Sequence, residues 1–185
     1  MTLPISVYGN TILRKKAREI DKDYEGLNDL IKNMFETMNK ADGIGLAGPQ
    51  VGRSIRMFLI DATVLAEQDI TLKDFKKVFI NPVITEETGT EIIFEEGCLS
   101  LPNIHEDVKR RSKIKIEYYD ENFTLVKEAY NGIKARVIQH EYDHLEGVLF
   151  TDKLSAFRKR LIKGRLAAIS KGKIRSFYKM RFPRK

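Results

Sequence analysis

The sequence predicts an α+β fold, a largely antiparallel sheet packed around a central helix, and three observations lead there. Stretches rich in β-branched and aromatic residues gather between Ile55 and Tyr130 instead of alternating with helices. One amphipathic helical pattern precedes them. A second follows and carries the His-Glu-x-x-His motif His140-Glu141-Tyr142-Asp143-His144, whose histidines, four residues apart, share one helix face with a carboxylate beside them.

Leu27, Leu30, Ile31, Met34, Phe35 and Met38 recur at three- and four-residue spacing between Glu25 and Lys40, which predicts a helix buried on one side. Gly43, Gly45, Gly48 and Pro49 then read as a rigid loop that lets other groups come close. Ile55 to Ile60, Val78 to Ile80, Glu91 to Phe94, Lys113 to Tyr119 and Thr124 to Tyr130 read as strands, with alternation clearest in Ile114, Ile116 and Tyr118. After Asn131-Gly132, the residues Ile133, Val137, Leu145 and Val148 predict the helix bearing the histidines, with Gly147 near its end. Leu154 to Ala168 reads as a last helix, and Ser170 to Lys185 takes no assignment. Residues 1–155 are expected to form one catalytic domain and 156–185 a basic C-terminal helix or extension.

At 185 residues, with 42% hydrophobic and 32% charged residues, the chain has the size and composition of one soluble globular domain. No apolar run reaches the roughly 18 to 20 residues of a membrane span, and the first ten residues lack the pattern of a secretion signal. No membrane partner is expected, and the cytoplasm is the expected address. The single cysteine, Cys98, forms no intrachain disulfide, so a chemical use of its thiol gains weight. From Arg158 onward the chain carries twelve Lys and Arg and no acid; against a net charge of +7, seven less twelve leaves −5 on the rest. Such asymmetry suits contact with a polyanion, RNA or the ribosome, although charge runs are also ordinary solvated surface.

Neutral imidazole is the commonest metal ligand, and a glutamate next to an activated water can take its proton. Two histidines make an incomplete catalytic site, because such a metal takes three protein ligands and keeps one position open. Beyond His144 the only acids are Glu146 and Asp152. Glu146 lies two residues on, about 200° around the helix, and points away. Upstream, Cys98 in Glu96-Gly97-Cys98-Leu99-Ser100 offers a thiolate suited to a transition metal. Spacing alone leaves Cys98 and Asp152 both open. His105, the remaining histidine, reads as an ordinary core or surface residue.

With these residues in place, the chain resembles the peptide deformylases. Gly43-Ile44-Gly45-Leu46-Ala47-Gly48-Pro49-Gln50, Glu96-Gly97-Cys98-Leu99-Ser100 and Gln139-His140-Glu141-Tyr142-Asp143-His144 are similar to that family's three motifs and stand in its order. The likeness runs from about Pro4 to Leu154. It implies removal of the formyl group from the N-terminal formyl-methionine of nascent polypeptides, with release of formate. It further implies one divalent metal ion on Cys98, His140 and His144, ferrous iron in the cell, with zinc, nickel or cobalt able to take its place. Glu141 would be the general acid/base, and Gln50 and the backbone N–H of Leu99 would stabilise the oxyanion, where one donor is typically worth about 2.7 to 4 kcal/mol. Ile44, Gly45 and Gly97 would hold the peptide as an added strand, with Phe94, Ile133 and Val137 as candidates for the apolar wall of the methionine pocket.

The chain departs from the family pattern at four places. Gly48 replaces the usual alanine, and His105 stands where many members have a substrate-binding arginine, which Arg110 or Arg111 would have to replace. Thr63 to Lys77 reads as a longer surface insertion, and the basic tail has no secure counterpart, although some members dock on the ribosome through a C-terminal extension. Two rival readings are a His-Glu-x-x-His metallopeptidase and a basic RNA-binding protein with a structural metal. Cys98 speaks against the first. Glu141 speaks against the second, since a structural metal is closed by four ligands and needs no base.

Overall fold

The stretch Met57–Asp61 is buried along its whole length, and the rest of the chain is arranged around it. In the computed structural model, which describes residues 1–183, the order is β1 (Ile5–Ser6), α1 (Leu27–Lys40), β2 (Gly45–Ala47), β3 (Met57–Asp61), β4 (Lys76–Cys98), β5 (Leu101–Tyr119), β6 (Leu125–Asn131), α2 (Gly132–Leu145), α3 (Ala156–Ser170) and β7 (Met180–Arg181), with short 3₁₀ turns between. Arg184 and Lys185 of the basic tail lie outside the described residues. Strands β2 to β6 form one antiparallel sheet in chain order, and β1 pairs with β7 in parallel. This is the mixed α and β architecture with an antiparallel sheet that the sequence predicts.

Successive residues of a strand face opposite ways, so β3 feeds two apolar clusters at once. Phe58 and Ile60 pack with Phe79, Ile114, Ile116 and Tyr118 under Ala135, Ile138 and Leu145 of α2. Met57 and Leu59 pack with Leu46, Val78 and Ile80 under Leu27, Leu30, Met34 and Met38 of α1, with Ile31 and Phe35 at the margin. One helix on each face explains why this strand reads as a continuous apolar run.

Two strands are far longer than the sequence predicts. Val78 to Ile80 and Glu91 to Phe94 are pieces of one 23-residue strand, β4, and its partner β5 runs 19 residues where only Lys113 to Tyr119 was expected. Along β5 the inward positions are Ile104, Glu106, Val108 and Arg110, all buried. Glu106 pairs with Arg158 and Arg165, and Arg110 with Glu96, so the charges are satisfied inside, yet their alternation with outward charges looks polar throughout. The middle of β4 is exposed and irregular, with register shifts between Ile84 and Glu86 and between Thr88 and Glu91. Thr63 to Lys77 is only partly the surface insertion expected: Leu72 and Phe75 enter the cluster under α2.

At the end of the chain, the Ser155 hydroxyl accepts from the Arg158 N–H and starts α3. Ile162 and Ile169 of that helix pack on Val7, Leu101, Ile104, Val108 and Phe150. The tail then turns back and adds β7 beside β1, with Ile5 donating to the Lys179 carbonyl at 2.9 Å and Val7 to Arg181 at 3.1 Å. No helix among the described residues is long and apolar enough to cross a membrane.

Phe79 is fully buried, with ring centroids 4.6 Å from Phe58 and 4.3 Å from Tyr118. Phe79→Ala is expected to lower stability by about 3 to 5 kcal/mol in urea titration. A loss under about 1 kcal/mol would contradict this packing.

Candidate metal centre

Helix α2 presents His140, Glu141 and His144 toward the sheet, and Gly147, at φ 74°, lets the chain leave the helix just beyond them. A Cβ at Gly147 would also lie 2.7 Å from the backbone carbon of Arg14. Cys98 comes from the opposite side, at the end of β4, where it pairs with Leu101 across a turn made of Leu99 and Ser100. Its Sγ lies 3.3 Å from His144 Nε2, and one ligand atom from each of Cys98, His140 and His144 falls within 4.8 Å of the others. Among the described residues, this is the group arranged to hold a metal ion.

The donors fit such an ion. Glu96 Oε2 sits 2.9 Å from His140 Nδ1, which fixes that ring and leaves its Nε2 for coordination. One thiolate and two imidazoles form a borderline-soft set, and three protein ligands leave a coordination position open, as in catalytic sites. Burial opposes the charged ring of His140, but Cys98 and Glu96 outweigh it and push its pKa up to about 10, so a metal binding there displaces a proton from that ring. Burial together with the positive charges of His140 and Arg110 drives His144 well below its ordinary value, which keeps that imidazole neutral as a ligand must be.

Glu141 is the chemically distinctive group. Burial pushes its carboxyl up to about 7 against the pull of a positive His140, and its Oε2 is buried without a hydrogen-bond partner among the described residues. Gly45 makes room for it: a Cβ there would stand 2.4 Å from Glu141 Oε1. Gln50 Oε1 accepts from the Ala47 N–H at 2.7 Å, so its Nε2 is aimed the other way, 3.5 Å from Cys98 Sγ and 3.2 Å from Ser100 Oγ.

A cleft of about 620 Å³ opens over these groups. Ile44, Gly45, Gln50, Phe94, Gly97, Cys98, Leu99, Ile133, Val137, His140 and Glu141 line it, which brings the residues singled out from the sequence to one place, with His144 directly behind. Asp152 is elsewhere, paired with Arg14 and accepting from the Leu149 N–H at 2.8 Å, so it is no ligand. Glu146 is held by Arg56 and Lys16. Neither arginine offered in place of His105 reaches the cleft: Arg110 is buried in ion pairs with Glu96 and Asp143, and Arg111 donates to the Gly89 carbonyl on the outer hairpin. His105 itself lines the cleft, beside Gly97.

Sequence reasoning missed Glu96 as a working residue, together with Arg110 and Arg136. Arg110 grips both Glu96 oxygens at 2.6 and 2.9 Å, and Arg136 adds a third contact at 2.7 Å. Burial would raise the Glu96 carboxyl, but Arg110 and His140 hold it well below the usual carboxylate range. Its place within the Cys98 motif was the only signal. Arg175 to Tyr178 also reach the cleft, and nothing in the sequence pointed there.

Three paired donors for a metal, with an uncommitted carboxyl at the floor of a cleft, define a metal-dependent hydrolase. The polypeptide deformylase family profile matches residues 2–160. A peptide deformylase of Christiangramia forsetii is 58% identical over 99% of this chain and 97% of its own length, and one of Flavobacterium psychrophilum 53% identical over 98% and 97%. A solved peptide deformylase from Legionella pneumophila superposes with a TM-score of 0.82 at 34% identity, over 95% of this chain and 99% of that one. The chain belongs to the polypeptide deformylase family. It is a metal-dependent amide hydrolase that removes the formyl group from N-terminal formyl-methionine, with a single divalent metal ion held by Cys98, His140 and His144.

Gly45→Ala is expected to displace the Glu141 carboxylate and lower kcat by about 100-fold while metal content stays at the parental level. Parental kcat in this variant would show that Glu141 needs no such room.

Proposed function

We propose that Glu141 is the general acid and base of the deformylation. The buried, unpartnered Oε2 of Glu141 beside the three ligands carries this reading. When bound, the metal supplies Lewis acidity that lowers the pKa of a coordinated water from 15.7 toward about 7. Glu141 takes the proton from the attacking water as its oxygen bonds to the formyl carbon. The same carboxyl then delivers that proton to the nitrogen as the C–N bond breaks, and formate and a free amine leave. Burial raises this carboxyl above its ordinary value, which makes it a better acceptor of the water's proton than a solvated carboxylate. Gln50, with its amide orientation fixed by Ala47, donates from Nε2 to the oxygen on which charge grows, and the Leu99 N–H is the second donor.

Ile44, Gly45 and Gly97 hold the peptide backbone, supported by the position of β2 at the edge of the sheet, where an incoming strand finds a free side. Phe94, Ile133 and Val137 form the apolar wall for methionine, supported by their place in the cleft lining. The mixed thiolate and imidazole donors suit ferrous iron in the cell and accommodate zinc, nickel or cobalt. Residues 1–155 carry the chemistry as the catalytic domain, acting on nascent chains in the cytoplasm, and 156–185 form the basic extension.

Glu141→Ala is expected to keep its metal and lose about 10²- to 10⁴-fold in kcat on formyl-methionyl peptides. Equal turnover by mutant and parent, with metal analysis alongside, would refute the assignment.

Helix α3 also presents Arg160 and Lys163, both exposed, and this face supports contact with ribosomal RNA. Combined Arg160→Glu and Lys163→Glu substitutions are expected to abolish salt-sensitive co-sedimentation with ribosomes. Undiminished co-sedimentation would reject the contact. Charge reversal is the better test than truncation, because Ile162, Ile169 and β7 are packed into the body.

A further inference from the structure

We propose that the returning C-terminal segment is a wall of the substrate groove, in which Phe177 is the platform for an aromatic or large aliphatic side chain following the formyl-methionine. Phe177 lines the cleft with its side chain open to solvent, 73% exposed, so a bound peptide can cover it. The chain is anchored just beyond it. Its neighbour Tyr178 is half-buried against the α1-side cluster and donates its hydroxyl to the Leu99 carbonyl at 2.8 Å, next in sequence to the ligand Cys98. The rings of Phe177 and Tyr178 meet edge to face, with centroids 5.3 Å apart at 87°. Two residues further on, β7 is bonded to β1, and the Asn10 side-chain amide donates to the Arg181 carbonyl at 2.7 Å.

Tyr8 at the end of β1 also donates its N–H to the Ser100 carbonyl at 2.9 Å. The strap and the turn that carries Leu99 therefore share one support, and the exposed ring is held at a set position relative to the metal ligands. A preorganised aromatic face at the rim of a peptide groove gains most from an apolar side chain that it removes from water. The methionine wall of Phe94, Ile133 and Val137 belongs to other elements, β4 and α2, so the strap meets a later part of the peptide.

The inference rests on the deformylase reading, and one experiment separates the two. Steady-state kinetics of the metal-loaded parent, Phe177→Ala and Phe177→Leu are compared on formyl-Met-X-Ser and formyl-Met-Ala-X peptides, with X being Ala, Leu or Phe. The parent is expected to prefer Leu and Phe over Ala at one of these positions by about 5- to 10-fold in kcat/KM, through KM. Phe177→Ala is expected to erase that preference and Phe177→Leu to keep most of it. A parent that hydrolyses formyl-Met-Ala-Ser but shows no side-chain preference, or a preference that survives intact in Phe177→Ala, overturns the strap assignment alone. A parent inert toward every formyl peptide overturns the deformylase reading and this inference with it.

Discussion

The buried carboxylate of Glu96 is the point on which the centre depends. It ties β4 to β5 through Arg110 and to α2 through Arg136 and His140, and every one of these contacts lies within 2.9 Å. A lone buried charge is strongly disfavoured, and here two guanidinium groups share one acid while Asp143 takes the other side of Arg110 at 2.7 Å. The network is two-sided. Cys98 stands two residues along β4 from Glu96, and His140 is gripped by Glu96 directly, so the same acid sets the spacing between a thiolate on the sheet and an imidazole on the helix.

Steric allowance does the remaining positioning. Gly45 leaves space for the carboxyl of Glu141, and Gly97 leaves space for the ring of His105, whose Cδ2 would be 2.6 Å from a Cβ at that glycine. Close approach of this kind needs a rigid frame, which the fully buried β3 supplies between α1 and α2. The edge of the sheet is left to β2, on the same side as the cleft. The metal ligand Cys98 and the strand edge beside the cleft therefore belong to one sheet.

The two chain ends close the structure on itself. The parallel β1–β7 pair joins residues 175 positions apart in register, and the segment between α3 and β7 lines the cleft on the way. The tail's positive charge divides accordingly: Arg158 and Arg165, themselves at the surface, pair with the buried Glu106, while Arg160 and Lys163 on α3 face solvent. Composition records all of these charges alike, and only their partners distinguish a structural arginine from one free to meet a polyanion.

The sequence by itself determined the parts whose information is local: the apolar period of α1, the helix carrying His140, Glu141 and His144, the end of that helix near Gly147, and the motif residues that meet in the cleft. A helix repeats every 3.6 residues and a motif is contiguous, so both can be read along the chain. The joining of β4 into one long strand, the buried charges of β5, the ion pair that takes Asp152 away from the metal and the strap bearing Phe177 were decided only by tertiary structure. Each depends on a partner distant in sequence: Arg110 is core because Glu96 faces it, and Asp152 is no ligand because Arg14 claims it. Local pattern assigns a charged residue to solvent, and only folding supplies the counter-charge that lets it be buried.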